Sequence, residues 1–212
     1  GVNLMFLGAN CMYRRIRFED TFIGPNRMVV NYRSPSADPL NGIDPERVTA
    51  EWRAAPAARP ESSITGTFYE SNPVHADMVI ADADAWMFEG TGVKNGDTWL
   101  DLVGNEYDRV TLESPTPPTI QVLAHSPVRV KGQNSFADMT YYTDPSGAGV
   151  FSAGTIWFER HLLPGGRGTD AQIVRMMTNL LDVFAAGPAG LTHPAQPNLE
   201  RLGIRPGYLP RI

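Results

Sequence analysis

The sequence predicts an α/β domain that is incomplete in this chain, carries a β-rich insertion, and has more strand than helix overall. Three observations lead there. The chain opens on a continuous apolar run, Leu4-Met5-Phe6-Leu7, with no polar alternation. Such a run fits a strand buried on both faces, as in a parallel sheet covered by helices. Near the other end, an apolar stripe with a 3.6-residue period marks one long helix. Between them, many of the 20 Gly and 18 Pro divide the chain into short segments bounded by turns.

The opening run ends in Gly8-Ala9-Asn10, at what would be the strand's carboxyl end. Open α/β sheets place ligands at that end. Residue 1 already enters the strand, so the chain is expected to continue a longer protein, with part of its site upstream of Gly1. Next, Tyr13, Arg15, Arg17 and Glu19 fall on one strand face and Met12, Arg14, Ile16 and Phe18 on the other. With Arg27 to Arg33 and a turn at Gly24-Pro25-Asn26, this predicts a hairpin.

Residues 34–63 form a proline-rich connection. Within it Asp44-Pro45-Glu46-Arg47 fits one helical turn, with Asp44 as N-cap and Pro at N1. Thr49 to Trp52 fits either a helix or a short strand, while Val48, Trp52 and Ile64 mark a loop that packs rather than a free linker. From 64 to 130 the expected strands are Ile64–Tyr69, Asp77–Ile80, Trp86–Glu89, Trp99–Val103, Arg109–Leu112, Ile120–His125 and Val128–Val130, with a turn at Asn95-Gly96-Asp97. Asp138 to Thr143 and Val150 to Phe158 are two further strands joined by a turn. Thr169-Asp170-Ala171-Gln172 fits a capping box. After it, Ile173, Met176, Met177, Leu180, Leu181 and Phe184 form one apolar helical face, which Gly187-Pro188 ends. The layout expected is therefore residues 1–33 and 138–187 in the α/β layer, 34–137 as the β-rich insertion, and 188–212 as a tail wrapping the surface.

Composition narrows the function classes. A net charge of −5 argues against a phosphate-tracking surface, so no nucleic-acid partner is expected. No apolar run reaches 18 residues, so no membrane span is expected, and a cytoplasmic location is the working expectation. A single cysteine, Cys11, excludes an internal disulfide framework and a Cys-based zinc site. The four His are scattered without metal-ligand spacing.

Several residues carry possible chemistry, each beside a plainer reading. Glu106, after a strand-like run, is a candidate general base or water-positioning carboxylate, or else a surface glutamate at a turn or an ion-pair partner of Arg109 or another arginine. Asn10 is a candidate amide donor to an oxyanion at the strand end, or else a turn residue that tolerates a left-handed backbone. Tyr13 and Arg14 are candidate substrate-binding residues, or else a half-buried strand tyrosine and a member of an ion-paired strand face. Cys11 reads as a small buried thiol rather than a nucleophile.

Five stretches together resemble one family. They are the segment Gly8 to Glu19 (GANCMYRRIRFE), Trp86 to Gly92 (WMFEGTG), Leu102 to Asp108 (LVGNEYD), Ala137 to Tyr142 (ADMTYY) and Gly147 to Ile156 (GAGVFSAGTI). Their order over residues 1 to about 190 is similar to that in the N,N-dimethylformamidase large (beta) subunit family, C-terminal part. The resemblance implies a glutamine-amidotransferase-like α/β layer. It also implies hydrolysis of a small amide by metal-activated water, at an iron held by two tyrosines and one glutamate. The family's glutamate ligand lies in a His-Asp-Glu-Tyr-Trp-type motif upstream of the segment matching Gly1. No such motif occurs here, so no metal ligand is assigned and this chain alone is expected to bind no iron. A small-molecule amide, the rest of the same polypeptide or an upstream fragment, and an oligomer are the implied partners. Where many relatives have Tyr-Trp, this chain has Tyr13-Arg14, which bears on substrate choice. The alternative function is a non-catalytic β-rich module that binds a carbohydrate or a partner subunit, for which Trp52, Trp86, Trp99 and Trp157 would have to share one exposed patch.

Overall fold

The computed structural model describes residues 1–162 and 171–207. The chain packs as two compact units, one of residues 1–11 with 62–212 and one of residues 12–61. The β-rich segment from residue 62 onward therefore packs with the opening strand. The 13–33 hairpin, expected in the α/β layer, belongs to the other unit.

In that smaller unit, β2 (Arg17–Thr21) pairs antiparallel with β3 (Gly24–Val30), following β1 (Leu4–Phe6) in chain order. The hairpin forms as expected, but the chain reverses at Phe22-Ile23, and Gly24-Pro25-Asn26 lies inside β3. The charged face of β2 is the more covered one, while Phe18 on the other face is exposed. The reason is ionic. Arg17 Nη1 binds Asp38 Oδ2 at 2.6 Å and its Nε binds Glu19 at 2.6 Å. Asp38 is itself buried and also accepts from Thr49 N, Thr49 Oγ1 and Leu40 N. Pro45–Arg47 forms a 3-10 turn with Asp44 at its N-cap position, though without a side-chain cap bond. Val48, Thr49 and Ala50 are buried, so this loop packs as expected.

The larger unit holds a four-stranded sheet in the order β1-β8-β7-β6. Its elements in chain order are α1 (Ser62–Thr65), β4 (Phe68–Val79), β5 (Thr98–Arg109), β6 (Gln121–Val130), β7 (Gln133–Thr143), β8 (Gly149–Ser152) and α2 (Ala171–Ala186). β1 runs parallel to β8, with Met5 opposite Phe151, and the other neighbours are antiparallel. β4 and β5 form a separate antiparallel pair.

β1 lies at the sheet's edge, and Leu4 is 40% exposed. The reading of a strand buried on both faces is corrected accordingly: among the described residues β8 is its one strand neighbour. Several predicted segments merge or change type. Asp77–Ile80 is the end of β4, whereas Ile64 falls in α1. Trp99–Val103 is part of a longer β5 that also takes in Arg109. Pro127 does not divide β6, because β6 is the opposite edge of the sheet, where a missing N–H is tolerated. Trp86–Phe88 is a 3-10 turn with Met87 and Phe88 buried, since a three-residue apolar run carries no period that tells strand from turn. β8 stops at Ser152, because Gly154 turns the chain at φ +67° and Thr155 then caps a 3-10 turn over Ile156–His161.

α2 buries Ile173, Met176, Met177 and Leu180 in one core with Phe151, Phe158 and Met139. Leu181 is exposed, and the capping residues Thr169 and Asp170 lie outside the described residues. The helix is also tied by polar bonds: Asn179 Nδ2 donates to the carbonyls of Met87 and Glu89. Asn3 clasps the sheet edge. Its Nδ2 donates to Phe184 O and Gly187 O at the end of α2, and its Oδ1 accepts from Gly149 N and Ala189 N. The segment after α2 does more than wrap the surface. Asn198 is buried, accepts from Val122 N at 2.8 Å and donates to Val122 O at 2.9 Å, which satisfies part of the outer edge of β6.

Candidate functional site

Two of the predicted residues meet. Asn10 leaves the end of β1 in a left-handed conformation, at φ +58°. Its side-chain Nδ2 donates to Glu106 Oε2 at 2.8 Å, across 96 residues of sequence. The other oxygen, Glu106 Oε1, accepts a longer bond from Asn72 Nδ2 at 3.4 Å, and Asn72 also reaches the Tyr69 hydroxyl. The carboxylate is thus held by carboxamides from two separate segments. A carboxylate accepts only, so Nδ2 of Asn10 must face Glu106. Its Oδ1 is buried and makes no hydrogen bond among the described residues. The expected oxyanion donor therefore has one of its amide hydrogens committed to Glu106.

Glu106 and Asp108 lie two residues apart on β5, so they share a face of the strand. Asp108 is 3% exposed. Its Oδ1 accepts the backbone N–H of Asn10 at 2.8 Å, its Oδ2 accepts from Thr67 Oγ1 at 3.3 Å, and its own N–H donates to Gly154 O at 2.9 Å. Neither Asp108 nor Asn72 stood out in the sequence as a site residue. For Asp108 the i, i+2 spacing from Glu106 was the available signal; for Asn72 there was none, because its proximity depends on the β4–β5 register. On the other side of β5, Tyr107 lines a separate cleft of about 490 Å³ with Glu70, Lys131 and Ser135.

Tyr13 and Arg14 belong to the smaller unit. The Tyr13 phenol is pushed up by burial and by its hydrogen bond to Glu51, and the guanidinium groups of Arg53 and Arg14 lie 4.8 and 5.2 Å from its ring centroid. Arg14 donates to Arg33 O at 2.7 Å and stands 3.9 Å from Glu51. Its charge is engaged within that unit. Cys11 stays a thiol: burial, and then the nearby Asp108 charge, push its pKa up to about 11.

Among the described residues, no three of His, Cys, Asp and Glu converge in a geometry that could hold a metal ion. The oxygens of Glu106 and Asp108 are occupied by amide and hydroxyl donors.

A family model described as N,N-dimethylformamidase beta subunit-like, C-terminal matches residues 1–170. The chain belongs to that family. The match spans β1, both hairpin strands, β4 to β8 and every residue of the Asn10–Glu106–Asp108 cluster. A comparison with curated proteins finds no match. Among the described residues, no helix is long and apolar enough to cross a membrane.

Proposed function

We propose that the chain supplies part of the site of a small-amide hydrolase, with Glu106 as general base and Asn10 as the residue that holds it. The observation that carries this reading is the Asn10–Glu106 contact at the exit of β1, in a chain of the dimethylformamidase-like family. Glu106 takes a proton from water as the water oxygen bonds to the amide carbonyl carbon. The proton then passes to the leaving nitrogen as the C–N bond breaks, which gives a carboxylic acid and an amine; the acid then hands its proton to the amine, leaving a carboxylate and an ammonium ion. A carboxylate restrained on both oxygens is pre-oriented for such a transfer. Any iron is held by residues outside this chain, in the glutamine-amidotransferase-like layer that β1 and α2 would help complete. The beta-subunit description supports a multi-subunit assembly. Trp99 is a core residue packed on Phe88, whereas Trp157 meets the His75 ring edge-on and carries the Arg160 guanidinium over its face. This dispersal does not favour a binding patch built on tryptophans.

The test is amine release from formamide and N,N-dimethylformamide by the full-length protein, supplied with and without iron, and by its Glu106→Gln variant. The expected loss is about 10²- to 10⁴-fold in kcat, the size of a general-base contribution. An unchanged rate in the variant removes Glu106 from the mechanism.

A further inference from the structure

We propose that Asp108 is the positioning residue of the Asn10–Glu106 pair, fixing the strand exit so that Asn10 meets the carboxylate. This rests on the hydrolase reading for its functional meaning, but its structural content stands apart from it. Asn10 is a non-glycine residue at φ +58°. That conformation costs about 1 kcal/mol or more, so it needs a compensating contact. Asp108 Oδ1 supplies one by accepting the Asn10 backbone N–H at 2.8 Å.

The other groups of Asp108 are anchored to different parts of the unit. Oδ2 takes the Thr67 hydroxyl just before β4, and the backbone N–H goes to Gly154 just after β8. Asp108 therefore ties the end of β1, through β5, to the segment before β4 and the segment after β8. Glu106 rides on the same strand two residues earlier, so the distance from Asp108 to Glu106 is set by the strand itself. Once Asp108 fixes the Asn10 backbone, the short asparagine side chain has Glu106 Oε2 within reach. Asp108 does not touch the reacting atoms in this scheme; it acts through Asn10.

The experiment follows the side-chain NH2 signals of Asn10 by NMR, assigned by their loss in Asn10→Asp. In the parent chain the amide hydrogen bound to Glu106 exchanges slowly with solvent. Asp108→Ala is expected to speed that exchange about tenfold or more, the scale of losing one charge-assisted hydrogen bond. Asp108→Asn keeps an oxygen for the Asn10 N–H and is expected to hold the exchange near the parent rate. Thr67→Val, nearly isosteric, frees one oxygen of Asp108 and gives an intermediate rate if Asp108→Ala does not fold. Unchanged exchange in Asp108→Ala, or in Thr67→Val where the alanine variant does not fold, overturns the proposal. In the amide assay, a positioning role lowers kcat about 10²-fold with KM little changed, and Asp108→Asn recovers most of it. If the exchange rates respond as expected but the full-length protein releases no product from either amide, with or without iron, the positioning role stands and the hydrolase reading fails.

Discussion

Gly154→Ala is the sharpest probe of how the strands meet behind the site. Gly154 sits at φ +67° directly after β8. A Cβ built there would stand 2.0 Å from the carbonyl oxygen of Asp138 and 2.9 Å from its carbon. Asp138 cannot easily retreat: it is in the middle of β7, its side chain binds Val110 N at 2.7 Å, and it pairs with His125. Opening the gap from 2.0 Å to ordinary contact means moving backbone by about 1.5 Å, an overpacking cost of roughly 1–3 kcal/mol. The left-handed conformation adds about 1–2 kcal/mol for alanine. Gly92→Ala is the matched control, because it has φ +73° but nothing within 4 Å of the added carbon. Urea unfolding is expected to show a loss of about 1–2 kcal/mol for Gly92→Ala and about 2–5 kcal/mol for Gly154→Ala. Gly154 O also accepts the Asp108 N–H, so the larger loss should come with faster exchange of the Asn10 side chain. Equal losses in the two variants would mean that the close approach of residue 154 to β7 is wrong.

Other expectations follow from the buried ionisable groups. In the smaller unit, burial alone would raise the Asp38 carboxyl, but bonds from Thr49, Leu40 and Arg17 outweigh it and hold the group well below the usual carboxylate range. Its stabilising effect is present above pH of about 4 and is lost as pH falls further. Asp38→Ala should destabilise that unit by about 3 kcal/mol, since it removes the buried acceptor of two N–H groups and the Thr49 hydroxyl and leaves Arg17 paired with Glu19 alone; retained hydrogen-exchange protection at Thr49 N would contradict this. At the alkaline end, burial pushes Cys11 up to about 11 and Tyr142 up to about 12. Both folded forms favour the neutral group, so the stability they lend is complete below pH of about 9 and is lost as pH rises through 11 and 12. The urea midpoint should therefore be lower at pH 10.5 than at pH 7, with a smaller drop in Cys11→Ser, about 1 kcal/mol apart for a half-buried thiol. Equal midpoints for the parent at the two pH values would refute the assignment.

Local pattern was a good guide where one neighbour decides the structure. The face of Ile173, Met176, Met177 and Leu180 buries as its period required. The 17–30 hairpin forms, but its turn is displaced, because Pro25 and Asn26 fit an edge strand as well as a turn. The apolar runs at 86–89 and 153–158 were misread as strands because composition cannot tell an extended run from a 3-10 turn when both bury the same residues. Leu4 was expected to be covered on the second face of its strand, yet strand neighbours are set by tertiary pairing, and here β1 ends the sheet.

For the site, the sequence alone named Asn10 and Glu106, through their residue chemistry, the strand exit and a resemblance to one family. The shared face of Glu106 and Asp108 came from the structure, because the expected strands stopped at Val103 and resumed at Arg109 whereas β5 runs unbroken through both residues. What the sequence could not contain is the 2.8 Å between Asn10 and Glu106. That distance depends on the left-handed turn after β1, the parallel pairing of β1 with β8, and the Gly154 carbonyl that receives Asp108. Each is a contact between segments far apart in the chain, and only the packed tertiary structure brings them together.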